Sequence, residues 1–214
     1  MILRNPMPAA KPKAPSKAKV NAPRAWQRML SGRRLDLLDP AAIDIEIDDI
    51  ALGLSRVARW NGQTLGEHGF SVAQHCLVVD DICVHINPLI SPTHRLMALL
   101  HDAPEYVIGD MISPFKAALG FDYRRFENHL EQSIFIRFGL PATMPAPVKK
   151  LIKQADHACA YFEATQLAGF NDDEARQYFG EPPAGYSLTI MPLSDKLARE
   201  AFVTRFNALM KLKG

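Results

Sequence analysis

The sequence has few cysteines, and none of them is spaced as a metal or disulfide motif. Cys76, Cys83 and Cys159 are the three cysteines of the 214-residue chain, and no two of them form a CxxC pair. An odd, widely spaced set of thiols argues against a disulfide framework and against a thiolate zinc site. A reducing compartment explains it more easily, so we expect a cytoplasmic protein.

Long apolar runs are also missing, although 48% of the residues are hydrophobic. No uninterrupted apolar stretch reaches the roughly 20 residues that a helix needs to span a bilayer. We therefore expect no membrane partner. A chain of this length can fold as one compact domain with a sizeable core, and the sequence predicts such a domain over residues 29–214.

Acidic residues are absent from the first 34 positions, which hold nine of the 25 basic residues. The other 180 residues therefore carry 16 basic side chains against all 23 acidic ones. Residues 1–28 are rich in proline, alanine and lysine and have little to bury, which predicts a flexible, solvated arm. An electrostatic arm for nucleic acid or a partner, and an organelle-targeting peptide, are the alternatives. Charge alone is nonspecific, so no specific nucleic-acid binding is expected.

Apolar residues recur every three or four positions along most of the remaining chain, which is typical of amphipathic helices. In segment 146–170, for example, Val148, Ile152, Ala155 and Cys159 lie on one face. The fold class is therefore all-α, a bundle of about six or more helices. A short strand or hairpin is expected in the weakly alternating segment just before the first helix. The predicted hairpin lies within 31–40, and the predicted helices cover 44–60, 68–86, 92–112, 123–140, 146–170 and 194–212.

One predicted helix runs from an apolar stretch straight into the adjacent polar pair His101 and Asp102. A buried carboxylate is costly unless it is paired or bound to a cation. The pair therefore either lies where the helix reaches the surface or belongs to a buried metal site. His75 and Asp156 also lie on inward-facing stretches of predicted helices. Two imidazoles and two carboxylates suit a divalent ion such as Mn²⁺, Fe²⁺, Co²⁺, Zn²⁺ or Mg²⁺, with positions left open for water and substrate, as in catalytic sites.

Four short motifs, in order along the chain, resemble those of the HD-domain metal-dependent phosphohydrolases. They are SVAQHC (71–76), ALLHDAPE (98–105), GDMISPFK (109–116) and IKQADHACAYFEA (152–164). Within that superfamily they are similar to the branch of bacterial 5′-deoxynucleotidases and their phage-associated relatives, from about residue 33 to the C-terminus. The resemblance implies an HD-domain helical fold and one divalent metal ion held by His75, His101, Asp102 and Asp156.

The resemblance also implies catalytic roles for two acidic residues. Glu105 matches the catalytic acid that follows the His-Asp pair, and Asp110 matches a second acid near the metal. Glu105 would also share a helical face with His101 and Asp102, which lie four and three positions earlier. Gln74 departs from the family, which often has glutamate before its first metal ligand.

Four further residues are candidate substrate contacts. The pair Arg59 and Trp60 resembles a pair that contacts phosphate and sugar in the deoxynucleotidases, and Lys116 is a candidate phosphate contact. His68 lies between two glycines, which places it on the loop entering the second helix, where it could contact the substrate or a metal ligand. The alternative for each charged candidate is a surface ion pair.

The activity that the resemblance implies is removal of the 5′-phosphate from (deoxy)nucleoside monophosphates, with a small-molecule nucleotide as partner. One alternative is a pyrophosphohydrolase or triphosphohydrolase acting on (deoxy)nucleoside triphosphates. Others are a di-iron oxygenase, for which only His68 or His157 could add a ligand, and a non-catalytic nucleotide-binding module. Relatives in the superfamily tend to be dimeric, so a homodimer is an open alternative to a monomer.

Overall fold

The computed structural model describes residues 25–110 and 121–214, and this part of the chain is mainly helical, as predicted. Two short strands and two 3₁₀ turns accompany the helices. The strands are β1 (Trp26–Arg28) and β2 (Arg34–Asp36), and the 3₁₀ turns are Ala42–Asp44 and Arg59–Gly62. The helices are α1 (Ile47–Arg56), α2 (Val72–Ile86), α3 (Pro92–Leu99), α4 (Glu105–Ile108), α5 (Phe121–Arg137), α6 (Ala146–Gln166), α7 (Asp172–Phe179) and α8 (Asp195–Lys213).

Helix α2 lies at the centre of the bundle, where it packs against α1, α3, α6 and α8. Val72, Cys76, Val79 and Cys83 recur at helical spacing along α2 and are all fully buried. The predicted face of α6 is buried in the same way. Two helices that each bury an apolar face against the other bring any polar groups on those faces into the interior of the bundle.

A fully buried carboxylate, Asp80, ties α2 to α3 and α8. Both of its oxygens accept hydrogen bonds from Arg95, at 2.9 and 2.8 Å, and Arg205 donates to Oδ2 at 2.5 Å. Paired charges of this kind are tolerated in an interior because each retains a partner.

Serine and asparagine side chains cap four of the helices, among them Ser194 at the start of α8. Helix α7 was not predicted from the sequence. It begins with a capping box in which Asn171 accepts from the Glu174 N–H and Glu174 accepts from the Asn171 N–H. Within α7 only Ala175 is buried, so a helix this short and polar shows no apolar stripe.

The helix predicted over 92–112 is interrupted, which corrects the sequence prediction. Helix α3 ends at Leu99, and a turn over 100–104 leads into α4. Pro104 explains the interruption, because proline has no N–H to donate to the preceding turn and its ring clashes with that turn's carbonyl. His101 and Asp102 lie in this turn and not on a helix. Contrary to the prediction, Glu105 therefore does not share a helical face with them.

Helix α1 is also shorter than predicted, so Arg59 and Trp60 lie on a turn. The chain leaves the helix at Val57, where its backbone begins to hydrogen-bond with residues 70–72. The Val57 carbonyl accepts from the Val72 N–H at 2.9 Å, and the Arg59 N–H donates to the Phe70 carbonyl at 2.8 Å. Trp60 and Asn61 then adopt left-handed backbone conformations, with φ of 57° and 52°. Such conformations cost about 1–3 kcal/mol each and persist only where the surroundings hold them.

An N-terminal hairpin is present as β1 and β2, which pair antiparallel with Gln27 opposite Leu35, but only β2 lies within the predicted segment 31–40. Strand β1 takes in residues 26–28, which the sequence analysis assigned to the arm. Residues 1–24 and Lys116 lie outside the described residues. No helix in the described ranges is both long enough and apolar enough to cross a membrane.

Gly53 allows α1 to approach α4 closely. A Cβ atom at this position would lie 2.7 Å from the Tyr106 Cβ and 2.8 Å from its carbonyl oxygen. Gly53→Ala should therefore destabilise the fold by about 1–3 kcal/mol through overpacking, in spite of the better helix propensity of alanine. Urea unfolding measures the change.

Lys196→Ala, at an exposed position of α8, is the control and should shift the free energy of unfolding by no more than about 0.5 kcal/mol. A Gly53→Ala protein as stable as the wild type would show that the two helices separate freely.

Candidate metal centre

The structure brings together the four residues that the sequence predicts as metal ligands. His75 comes from α2, His101 and Asp102 from the turn before α4, and Asp156 from α6. His75 Nε2 lies 3.2 Å from Asp156 Oδ1 and 3.5 Å from Asp102 Oδ2, and His101 Nε2 lies 3.3 Å from Asp102 Oδ2. Ligand atoms of His75, His101 and Asp156 all lie within 4.8 Å of one another.

Both imidazoles point the same ring nitrogen into this centre. His75 Nδ1 lies 2.6 Å from Glu163 Oε1, and His101 Nδ1 lies 2.8 Å from the Ala98 carbonyl oxygen. An acceptor at Nδ1 holds a proton there, which leaves Nε2 to bind either a metal ion or a second proton. Among the described residues, the Nε2 atoms of His75 and His101 are buried and have no hydrogen-bond partner. Two lone pairs that face carboxylate oxygens repel them unless a cation or a proton lies between, so this donor set fits a divalent cation.

The charged groups of the centre together affect the pKa values of Asp102 and His101 more strongly than burial does. Burial opposes ionisation of Asp102, but His101, His75 and Arg59 hold the pKa of that carboxyl well below its usual value. Burial likewise lowers the pKa of His101, but Asp102 chiefly raises it, to a value well above the usual one. The carboxylates therefore stay charged, and the centre attracts positive charge.

The centre reaches the surface on its carboxylate side. The side chain of Asp156 is 35% exposed and that of Asp102 is 22% exposed, whereas His75 is completely buried. An ion at this position would keep a side open to water and substrate, as catalytic metal sites do.

A second grouping of possible ligands, His75, Cys159 and Glu163, is better described as a hydrogen-bond network. The 2.6 Å between His75 Nδ1 and Glu163 Oε1 is the length of a strong hydrogen bond. Burial, and after it the charge of Glu163, raises the pKa of the Cys159 thiol well above its usual value. The thiol therefore keeps its proton, donates it to Glu163 Oε1 at 3.2 Å, and is a poor metal ligand.

Glu163 is the functional residue that the sequence analysis missed. It is completely buried, and both of its oxygens accept hydrogen bonds: Oε1 from His75 and Cys159, and Oε2 from Arg59 and Trp60. A signal was present, because Glu163 lies one turn after Cys159 on the predicted buried face of α6. A carboxylate at such a position needs hydrogen-bond partners, and it has four.

Arg59 and Trp60 both meet Glu163 from their strained turn. Arg59 Nε lies 3.2 Å from Glu163 Oε2, and Arg59 Nη1 lies 3.9 Å from Asp102 Oδ2, so the guanidinium spans from Glu163 to the centre. Trp60 donates its indole N–H to Glu163 at 2.7 Å, and its ring packs against Phe170 and Phe179. Contact of either residue with a substrate stays a prediction.

The structure places the remaining candidates as follows. Glu105 is buried and begins α4, and Asp110 is half-buried and its charge acts on the guanidinium of Arg59. His68 lies on the loop before α2, as predicted, but it is exposed and lies outside the ligand grouping. His157 is exposed as well, so neither extra histidine joins the described centre.

Gln74, next to the first ligand, has a structural function. Its side-chain amide donates to the Met191 carbonyl at 2.8 Å and accepts from the Leu193 N–H at 2.9 Å. It thereby attaches the loop over 180–193 to α2, where a glutamate could not donate the first of these bonds.

Two bacterial proteins are similar to this chain over most of its length. An uncharacterized protein of Rhodobacter capsulatus is 52% identical over 192 residues, which cover 88% of this chain and 97% of that protein. The uncharacterized protein YfdR of Escherichia coli is 33% identical over 170 residues, which cover 79% of this chain and 87% of that protein. The chain belongs to the same family as these two proteins. No protein-family model matches it, so its chemistry is inferred from the geometry of the centre.

Metal binding should stabilise the folded protein through mass action. At a metal concentration about 100 times the Kd, the stabilisation is about 2.7 kcal/mol, which corresponds to a rise in Tm of about 5–10 °C for a chain of this size. Asp102→Ala should abolish the rise, because it removes an anionic ligand. Thermal unfolding of metal-stripped protein with added Mn²⁺ or Co²⁺ measures it.

The control is Asp173→Ala, which removes an exposed carboxylate of α7. It should keep the full metal-dependent rise in Tm. An equal rise in the Asp102→Ala protein would show that the ion binds elsewhere.

Proposed function

We propose that the protein is an HD-type metal-dependent phosphohydrolase that removes the 5′-phosphate from (deoxy)nucleoside monophosphates. The observation that supports it best is the convergence of two imidazole Nε2 atoms and two carboxylates, with the guanidinium of Arg59 alongside. Three of the four sequence motifs similar to those of HD-domain phosphohydrolases supply the four candidate ligands of this centre. Phosphoryl transfer requires positive charge beside the phosphate, and the guanidinium of Arg59 supplies such a charge next to the candidate metal site.

In this proposal His75, His101, Asp102 and Asp156 hold one divalent ion. When bound, the ion would act as a Lewis acid toward a phosphate oxygen and would lower the pKa of the water bound to it. Mn²⁺, Co²⁺, Fe²⁺, Zn²⁺ and Mg²⁺ all accept these ligand types. The two carboxylates also balance the charge of the ion.

The other residues act on the phosphate and on protons. Arg59 neutralises the charge that develops on the phosphate oxygens, with Lys116 as a second cation. Glu105 accepts the proton of the attacking water or orients it, and Asp110 protonates the leaving 5′-oxygen. Trp60 packs against the sugar. Because its indole N–H already bonds to Glu163, only the ring of Trp60 is available for this contact.

The test is release of phosphate by metal-stripped protein to which Mn²⁺, Co²⁺, Mg²⁺, Zn²⁺ or Fe²⁺ is added back separately. The substrates are ribo- and deoxynucleoside 5′-mono-, di- and triphosphates, and Asp102→Ala is the control. We expect metal-dependent orthophosphate from monophosphates, absent in the variant. Pyrophosphate or tripolyphosphate from triphosphates, with no cleavage of monophosphates, would establish the alternative hydrolase. Binding of nucleotides without any cleavage would support the non-catalytic alternative.

Glu105→Ala should separate catalysis from metal binding. Because Glu105 acts on the proton of the water and is not a ligand in this proposal, the variant should lose about 10²–10⁴-fold in kcat. Its affinity for Mn²⁺, measured by calorimetry, should match that of the wild type. Loss of metal from the Glu105→Ala protein would contradict the role given to Glu105.

A further inference from the structure

We propose that Glu163 is a positioning residue that couples the metal centre to the substrate contacts, because one of its oxygens holds a metal-ligating histidine and the other holds Arg59 and Trp60. This inference rests on the proposed function for the identity of the two sides that it joins. Glu163 lies within the fourth motif, but neither the resemblance nor the relatives assign it a role.

On the metal side, Glu163 sets the orientation of His75. Its Oε1 lies 2.6 Å from His75 Nδ1, on the side of the ring opposite to Nε2, which faces Asp156 and Asp102. A carboxylate behind a ligating imidazole fixes the tautomer, fixes the plane of the ring and makes the ligand more basic. Cys159 donates to the same oxygen at 3.2 Å and limits its movement.

On the substrate side, Glu163 holds a turn that is strained on its own. Oε2 accepts from Arg59 Nε at 3.2 Å and from Trp60 Nε1 at 2.7 Å, and Trp60 has a left-handed backbone. A turn of this kind needs external contacts to persist. Because Nε of Arg59 is anchored here, the rest of the guanidinium reaches towards Asp102, where Nη1 lies 3.9 Å from its Oδ2.

The two sides are linked because the two oxygens belong to one rigid, planar group. A shift of the turn moves Oε2 and, with it, Oε1 and the ring of His75. Glutamine cannot replace this group, because its single oxygen can accept hydrogen bonds either from His75 or from Arg59 and Trp60, but not from both sides. Its NH₂ group would then face either the N–H of His75 or the N–H groups of Arg59 and Trp60.

Calorimetric titration of the full-length protein with Mn²⁺ tests the metal side. Glu163→Gln should weaken Mn²⁺ binding by about 10–100-fold. Asp80→Asn is the matched control, because Asp80 is equally buried and bonded to two arginines, Arg95 and Arg205, but has no contact with the centre. It should keep the Kd of the wild type. Circular dichroism at the temperature of the titration establishes that each variant is folded.

Trp60→Phe supplies a second test that leaves the charge of Glu163 in place. Among the described residues, Trp60 has no hydrogen bond to any of the four metal ligands, and phenylalanine preserves its packing against Phe170 and Phe179. Trp60→Phe should still weaken Mn²⁺ binding several-fold. The effect should vanish in the Glu163→Gln background, because Trp60 acts through Glu163.

Inorganic phosphate, titrated into protein saturated with Mn²⁺, probes the substrate side. Glu163→Gln should raise the Kd for phosphate, because Arg59 loses its anchor, whereas Asp80→Asn should not. An unchanged phosphate Kd in Glu163→Gln would overturn the coupling. So would an Mn²⁺ Kd that rises equally in Glu163→Gln and Asp80→Asn, or an effect of Trp60→Phe that persists in the double variant.

These titrations involve no nucleotide hydrolysis, so the two proposals fail separately. A wild-type protein that binds Mn²⁺ and phosphate with the expected effects, but cleaves no nucleotide, would overturn the proposed function and leave the linkage by Glu163 standing. A wild-type protein that binds no metal would overturn both.

Discussion

A completely buried imidazole with carboxylates on both sides is the constraint on which this structure depends. His75 bonds through Nδ1 to Glu163 and faces Asp156 and Asp102 with Nε2. Three carboxylates around one ring are unfavourable in an interior unless positive charge compensates them. The protein itself supplies Arg59, and in the proposed function a cation between the Nε2 atoms of the two histidines supplies the rest.

The packing of the helices brings together the residues of this centre, which lie far apart in the sequence. The central helix α2 carries His75, and α6 packs against it with Asp156 and Glu163 on the facing side. The turn between α3 and α4 adds His101 and Asp102. Because Pro104 ends the helix at this point, the pair can leave the helical path while the apolar residues before it stay in the core. The apolar run over 97–100 thus packs into the core, whereas His101 and Asp102 lie in the turn that follows it and face the candidate metal centre.

The longer helices could be predicted from the sequence because their apolar residues recur at helical spacing. The face of α6 formed by Val148, Ile152, Ala155 and Cys159 is a clear case. Helix α7 lacks such a stripe, and its start depends on the capping box of Asn171 and Glu174. The left-handed turn at Trp60 could not be predicted from local preference, because tertiary contacts hold it against that preference.

The sequence by itself determined the helical class, the buried faces and a set of histidine and aspartate side chains suited to one metal ion. Residue type and spacing decide these features, since each depends on near neighbours in the chain. Only the tertiary structure decided that the four predicted ligands meet, and that Glu163 joins His75 to Arg59 and Trp60. These contacts of Glu163 span 88 to 104 positions, and the apolar spacing predicts which faces of α2 and α6 are buried but not which helices pack against each other.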